Sequence, residues 1–197
     1  MGDISDACER TAHVEGLAAG LELALREADV TTPPGPVAAV PTSRVPAGAT
    51  TVPHALAAGE GISFLRYPSH VLVDTACTLR FGRLLAAVRL GTTRRLTEHA
   101  VRHLGGRTVG GDPTLGKQLV QGTLADLITE TEVLRHRLAA PGDDIADLAD
   151  VQDRLTALDW EATKLLGASG YVGGGQATTA YVSRLVANCW TLREGHR

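Results

Sequence analysis

The sequence is short of aromatic residues, of cysteine and of any large surplus of one charge. Two Phe, two Trp and three Tyr make up 4% of the 197 residues. A core must therefore be built mostly from Leu, Val and Ala, which suits closely packed helices. The three cysteines, Cys8, Cys77 and Cys189, are odd in number, far apart and in no metal-ligand spacing, which argues against a disulfide framework and a zinc-type site. Cys77 and Cys189 fall on apolar faces and read as small core residues, a usage that fits a reducing cytoplasm. A formal net charge of −3, with scattered basic residues and no aromatic interleaving, argues against a surface for nucleic acid or an anionic membrane. The sequence shows no signal peptide and no apolar run long enough to span a bilayer.

What the chain does have is 44% hydrophobic residues, most of them at helical spacing. Over residues 3–28, Val14, Leu17, Ala18, Leu21, Leu25 and Ala28 form one stripe, and Asp3 or Ser5 can cap it. This predicts a single amphipathic helix docked on the chain's own core. Thr31 to Pro53 holds six of the nine prolines, with Gly35 and Gly48, and reads as an extended connector gripped by Val37, Val40 and Val45. From Pro68 to His103 a long helix carries Val73, Cys77, Phe81 and Leu84 on one face and Leu72, Ala76, Leu79 and Leu90 on another. Such a helix needs neighbours on both sides. His99 and His103 stand four apart on it, but no carboxylate or cysteine motif completes a metal site.

Three more helices follow. The first spans Lys117 to Ala140, with Pro113 placed near its start. The second spans Asp144 to Leu166, capped by Asp143 or Asp144, and the third spans Ala177 to Leu192. Gly167 to Gly175 contains five glycines and must be a loop. The economical fold is all-α: an antiparallel four-helix bundle over 61–197, preceded by an N-terminal helix (1–30) and a Pro-rich connector (31–60).

Two stretches carry a family resemblance. In the connection between the first two bundle helices, Arg107, Gly111, Pro113, Gln118, Gln121 and Leu124-Ala125-Asp126 stand in register with Arg, Phe-Gly, Pro, Gln-x-x-Gln and Leu-Ala-Asp of the acyl-CoA dehydrogenase C-terminal domain, with Gly110 in place of the Phe. Later, Glu161-Ala-Thr-Lys-Leu-Leu-Gly-Ala-Ser-Gly-Tyr171 resembles the family's Ala-x-Gln-x-x-Gly-Gly-x-Gly-Tyr. Lys164 replaces the Gln and Ala168 the second Gly, and Arg184 lies near a family Arg in the next helix. Val45-Pro46-Ala47 with Gly59-Glu60-Gly61 resembles the family segment that leaves its β-domain.

The resemblance implies roles. The family residues matching Arg107 and Gln118 contact the FAD of a neighbouring subunit, and the segment matching Lys164, Gly167 and Ala168 touches the same flavin. A guanidinium suits a diphosphate through paired, charge-assisted hydrogen bonds. The family base, a Glu-Gly pair after the last helix in most branches, corresponds to Glu194-Gly195. In other branches it sits in the first long helix, where this chain has Phe81. No side chain accepts hydride, and a single helix with a connector over residues 1–60 is not expected to form a flavin-holding β-domain. The expectation is therefore an acyl-CoA dehydrogenase-like subunit, inactive alone, that meets FAD only across an interface. That interface would be in a homodimer, a tetramer or a hetero-oligomer with a longer homologue acting on an acyl thioester. The alternatives are a flavin-free bundle that binds an acyl or polyketide-like ligand as a cyclase or isomerase, and a non-catalytic assembly protein.

Overall fold

Gly16 divides the expected first helix in two. Its φ of 104° lies in the left-handed region, so α1 (Gly2–Glu15) ends there and α2 (Leu17–Ala28) begins after it. The computed structural model describes all residues except 1, 29, 31, 68–73, 141–143, 171, 173, 174 and 193–197. Both short helices dock on the chain's own core, with Cys8, Ala12, Leu17, Leu21 and Leu25 buried.

The proline-rich connector is more ordered than its composition suggests. β1 (Val37–Pro41) and β2 (Thr51–Val52) flank β3 (Ile62–Arg66) in an antiparallel sheet ordered β1-β3-β2, with a short helix α3 (Ala55–Gly59) between β2 and β3. Pro36 precedes β1 and Pro41 closes it, so the prolines bound the strand, where a missing N–H does least harm to a ladder. The sheet is tied to the last helix by the Trp190 indole N–H, which donates to the Ala39 carbonyl at 2.8 Å. The side chain of His54 caps α3, its Nδ1 accepting from the Ala57 N–H at 3.2 Å.

The bundle follows as α4 (Thr75–Gly105), α5 (Gln118–Ala139), α6 (Ile145–Leu165) and α7 (Gln176–Trp190). Asp74 caps α4 and Asp144 caps α6, each accepting a backbone N–H at 3.0 Å. The 31-residue α4 is the central helix that its two apolar faces require. One face joins α1, α2, the sheet and α7 in a first core through Phe81, Leu84, Leu85 and Val88. The other joins α5 and α6 in a second core through Leu79, Ala86, Leu90 and Leu96. Between α4 and α5, β4 (Thr108–Val109) and β5 (Asp112–Pro113) make a hairpin through Gly110 and Gly111, both at positive φ. Pro113 therefore lies in that hairpin and not at the start of α5.

Docking of α1 depends on one absent side chain. A Cβ at Gly91 of α4 would lie 2.2 Å from the Glu9 carbonyl oxygen, so glycine allows the two backbones to touch. The Glu9 carboxylate, 5% exposed, is held by Arg94 at 2.7 Å and Arg135 at 2.7 Å, linking α1 to both α4 and α5. Burial alone would push this carboxyl up. The hydrogen bonds and charges of Arg135 and Arg94 more than reverse that, leaving it below the ordinary glutamate value. Among the described residues, no helix is long and apolar enough to cross a membrane.

Candidate functional site

In an antiparallel bundle, the C-termini of α4 and α6 and the N-termini of α5 and α7 share one end. The expected site residues fall there for that reason. Arg107 follows α4, Gln118 opens α5, Lys164 lies in the last turn of α6, and Gly167 and Ala168 form the 3-10 turn after it. All five are exposed. A contact of 3.4 Å between Ser169 Oγ and His103 Nε2 brings the turn after α6 to the end of α4. The Arg107 backbone is fixed, its carbonyl accepting from the Thr114 N–H at 2.8 Å, while its guanidinium makes no hydrogen bond or ion pair to the described residues. Lys164 pairs with Glu161 at 2.6 Å on the same face.

A guanidinium, an ammonium and an amide at one end of the bundle are donor types that suit a diphosphate group. Gly167 sits at φ +57° with nothing within 4 Å of a would-be Cβ, so a ligand can approach that backbone closely. Arg107, Gln118, Lys164, Gly167 and Ala168 do not line the cavity described below. Glu194 and Tyr171 lie outside the described residues. Phe81, at the alternative base position, is fully buried with its ring edge-on to Trp190 at 4.8 Å. Among the described residues, no group of three or more His, Cys, Asp or Glu is placed to hold a metal.

A second polar constellation escaped the sequence reading. Arg89 of α4 is completely buried. It donates to the carbonyl and Oε1 of Gln152 at 2.8 and 2.9 Å, to Thr156 Oγ1 at 3.0 Å, to Ser183 Oγ at 3.2 Å and to Asp159 Oδ2 at 3.3 Å. Thr93 supplies the other Asp159 oxygen with a hydrogen bond of 2.7 Å. Burial pushes the Asp159 carboxyl up to about 6 against the pull of Arg89 and Thr93. The same burial lowers the Arg89 value, so desolvation exceeds attraction at both ends of the pair. The signal in the sequence is one arginine inside the run Leu84–Leu90, on a face with no access to water.

Above Asp159, α6 and α7 part to leave a cavity of about 750 Å³, bordered by Leu56 of α3. Asp153, Ala157 and Trp160 line it from α6, and Ala177, Tyr181 and Arg184 from α7, each set at helical spacing. Trp160, Leu56 and Tyr181 remain 55%, 43% and 40% exposed. The Arg184 guanidinium stands over the Tyr181 ring, 5.7 Å from its centroid.

Residues 73–141 match the family model of the acyl-CoA dehydrogenase C-terminal domain. No curated protein matches the sequence. Among solved structures, the chain resembles FkbI for biosynthesis of the methoxymalonyl extender unit of the polyketide Fk520 (20% identity, TM-score 0.57, 74% of this chain and 48% of that one). It also resembles a variant of the Tcur3481-Tcur3483 steroid ACAD (19%, TM-score 0.56, 71% and 43%). A third is butyryl-CoA dehydrogenase from Megasphaera elsdenii (15%, TM-score 0.53, 79% and 48%). At these identities the likeness is one of fold, and the chain spans less than half the length of each.

Proposed function

From a chain that resembles the acyl-CoA dehydrogenase C-terminal helical domain, with residues 73–141 matching that domain's model, we propose a component of an acyl-CoA dehydrogenase-type oxidoreductase that acts with a flavin-bearing partner subunit. The observation that carries this reading is the convergence of Arg107, Gln118, Lys164, Gly167 and Ala168 on one exposed end of the bundle. Arg107 would hold the diphosphate of the partner's FAD through paired N–H groups, with Gln118 as an amide donor and Lys164 as a second positive charge. The backbone of Gly167 and Ala168 would be open to the cofactor, because no side chain at Gly167 keeps it away. FAD, when bound, supplies the chemistry that no residue has, acceptance of hydride from the β-carbon of an acyl thioester. Glu194 is this chain's own candidate to take the proton from the α-carbon.

Arg107→Ala tests the assignment. In a complex with a full-length acyl-CoA dehydrogenase homologue, flavin affinity is expected to fall by about tenfold or more, the worth of a charge-assisted hydrogen bond. Helical circular dichroism should stay unchanged, because the side chain is exposed. Unchanged flavin retention in that complex would remove Arg107 from the cofactor.

A further inference from the structure

The groove between α6 and α7 reaches the turn after α6 through Gly170 but is lined by none of Arg107, Gln118, Lys164, Gly167 and Ala168, and it has an organisation of its own. Its volume of about 750 Å³ falls in the range of small-molecule sites, about 300–1,000 Å³. Three of the largest exposed apolar side chains, Trp160, Tyr181 and Leu56, border it, and such clustering is not the scatter of an ordinary surface.

The floor asks nothing of a ligand. Thr156 and Thr163 donate to the carbonyls of Gln152 and Asp159 at 3.0 and 2.7 Å, and both Asp159 oxygens are engaged by Arg89 and Thr93. A hydrocarbon body can lie there without leaving a buried polar group unpaired.

Apart from Asp159, which is paired with Arg89 in the floor, the charged lining residues are Asp153 and Arg184. Because α6 and α7 run antiparallel, Asp153 and Arg184 both lie away from the turn that follows α6, and Trp160 stands toward the start of α7. Asp153 is engaged within the chain. The cation–π contact of Arg184 uses the face of the Tyr181 ring and consumes none of the guanidinium N–H donors.

We propose that this groove binds an amphipathic carboxylic acid, with its hydrocarbon body along Trp160, Tyr181 and Leu56 and its carboxylate at Arg184. The site uses none of the residues assigned to the flavin, and the test uses the chain alone.

Decanoate is the probe and tryptophan emission the readout. Trp160 is 55% exposed and Trp190 only 2%, so a ligand in the groove changes the surroundings of the first alone. A saturable blue shift is expected. Arg184→Ala should weaken binding about tenfold, and decyltrimethylammonium, the same body with the opposite charge, should bind at least about tenfold more weakly than decanoate. Ala157→Phe, at an exposed helix position, fills the groove and should abolish the shift with no change in the thermal transition.

Absence of a saturable shift overturns the assignment, as does a shift retained in Ala157→Phe, equal affinity for the ammonium, or an Arg184→Ala affinity equal to the parent's. A concentration-dependent dimer that Ala157→Phe abolishes and decanoate leaves intact gives the groove to a second copy of the chain, and also overturns it.

Discussion

Asp159→Ala is expected to lower the unfolding free energy by about 3–5 kcal/mol, since it leaves the fully buried Arg89 guanidinium with no counter-charge. That is a large share of the roughly 5–15 kcal/mol that holds a typical domain together. The reason is asymmetry. Desolvation has already been met by five hydrogen bonds, one of them to a carboxylate, and removing that carboxylate keeps the cost while deleting its compensation. Urea denaturation of Asp159→Ala, Arg89→Met and the Arg89→Met/Asp159→Leu double variant separates the effects. The double variant should lose less than Asp159→Ala, because a pair replaced by apolar groups leaves no stranded charge. A loss below about 1 kcal/mol for Asp159→Ala would show that Arg89 reaches water and that the pair is not the polar centre of the bundle.

The second large effect concerns the contact of α1 with α4. Gly91→Val places atoms where the Glu9 carbonyl oxygen stands, 2.2 Å from the would-be Cβ, and Ala12 and the His13 N–H crowd the same spot. Two helix backbones cannot yield as a flexible side chain can, so the cost should reach about 3 kcal/mol or more, the upper part of what overpacking usually brings. The mode of failure is also specific. With α1 displaced, the Glu9 links to Arg94 and Arg135 are lost and residues 2–15 become open to limited proteolysis, while α5 and α6 keep their helical signal. Gly122, in the second turn of α5 with nothing within 4 Å, is the control. Gly122→Ala should gain about 0.5–1 kcal/mol from helix propensity alone. A Gly91→Val variant as stable as the parent would show that α1 does not lie in contact with α4.

These two sites also show what a linear reading can reach. Periodicity located all four bundle helices, because each presents a Leu-rich stripe to a neighbour, and it marked α4 as central because that helix has two such stripes. Asp144 was readable as a cap because the residue type and its position before an apolar run suffice. The break at Gly16 was not readable, since a glycine inside a good stripe looks the same whether its φ is negative or positive. The sheet was hidden by its prolines, which suggest a spacer until their places at strand ends are known. In the site, Arg107, Gln118, Lys164, Gly167 and Ala168 could be chosen only by resemblance, and the antiparallel topology then puts them at one end. Arg89 and Asp159 went unseen for a different reason. Their pairing joins positions 70 residues apart, and a solitary arginine in an apolar run gives no hint of its partner.

The most direct measurement is the flavin content of the complex formed when this chain is co-expressed with a full-length acyl-CoA dehydrogenase homologue. Co-elution of the two chains with flavin absorbance, and release of that flavin when the Arg107→Ala variant replaces the parent chain, is the result that fits a bundle end built to face a neighbour's cofactor. Separate elution, with the homologue keeping its full flavin whether or not this chain is present, would contradict it.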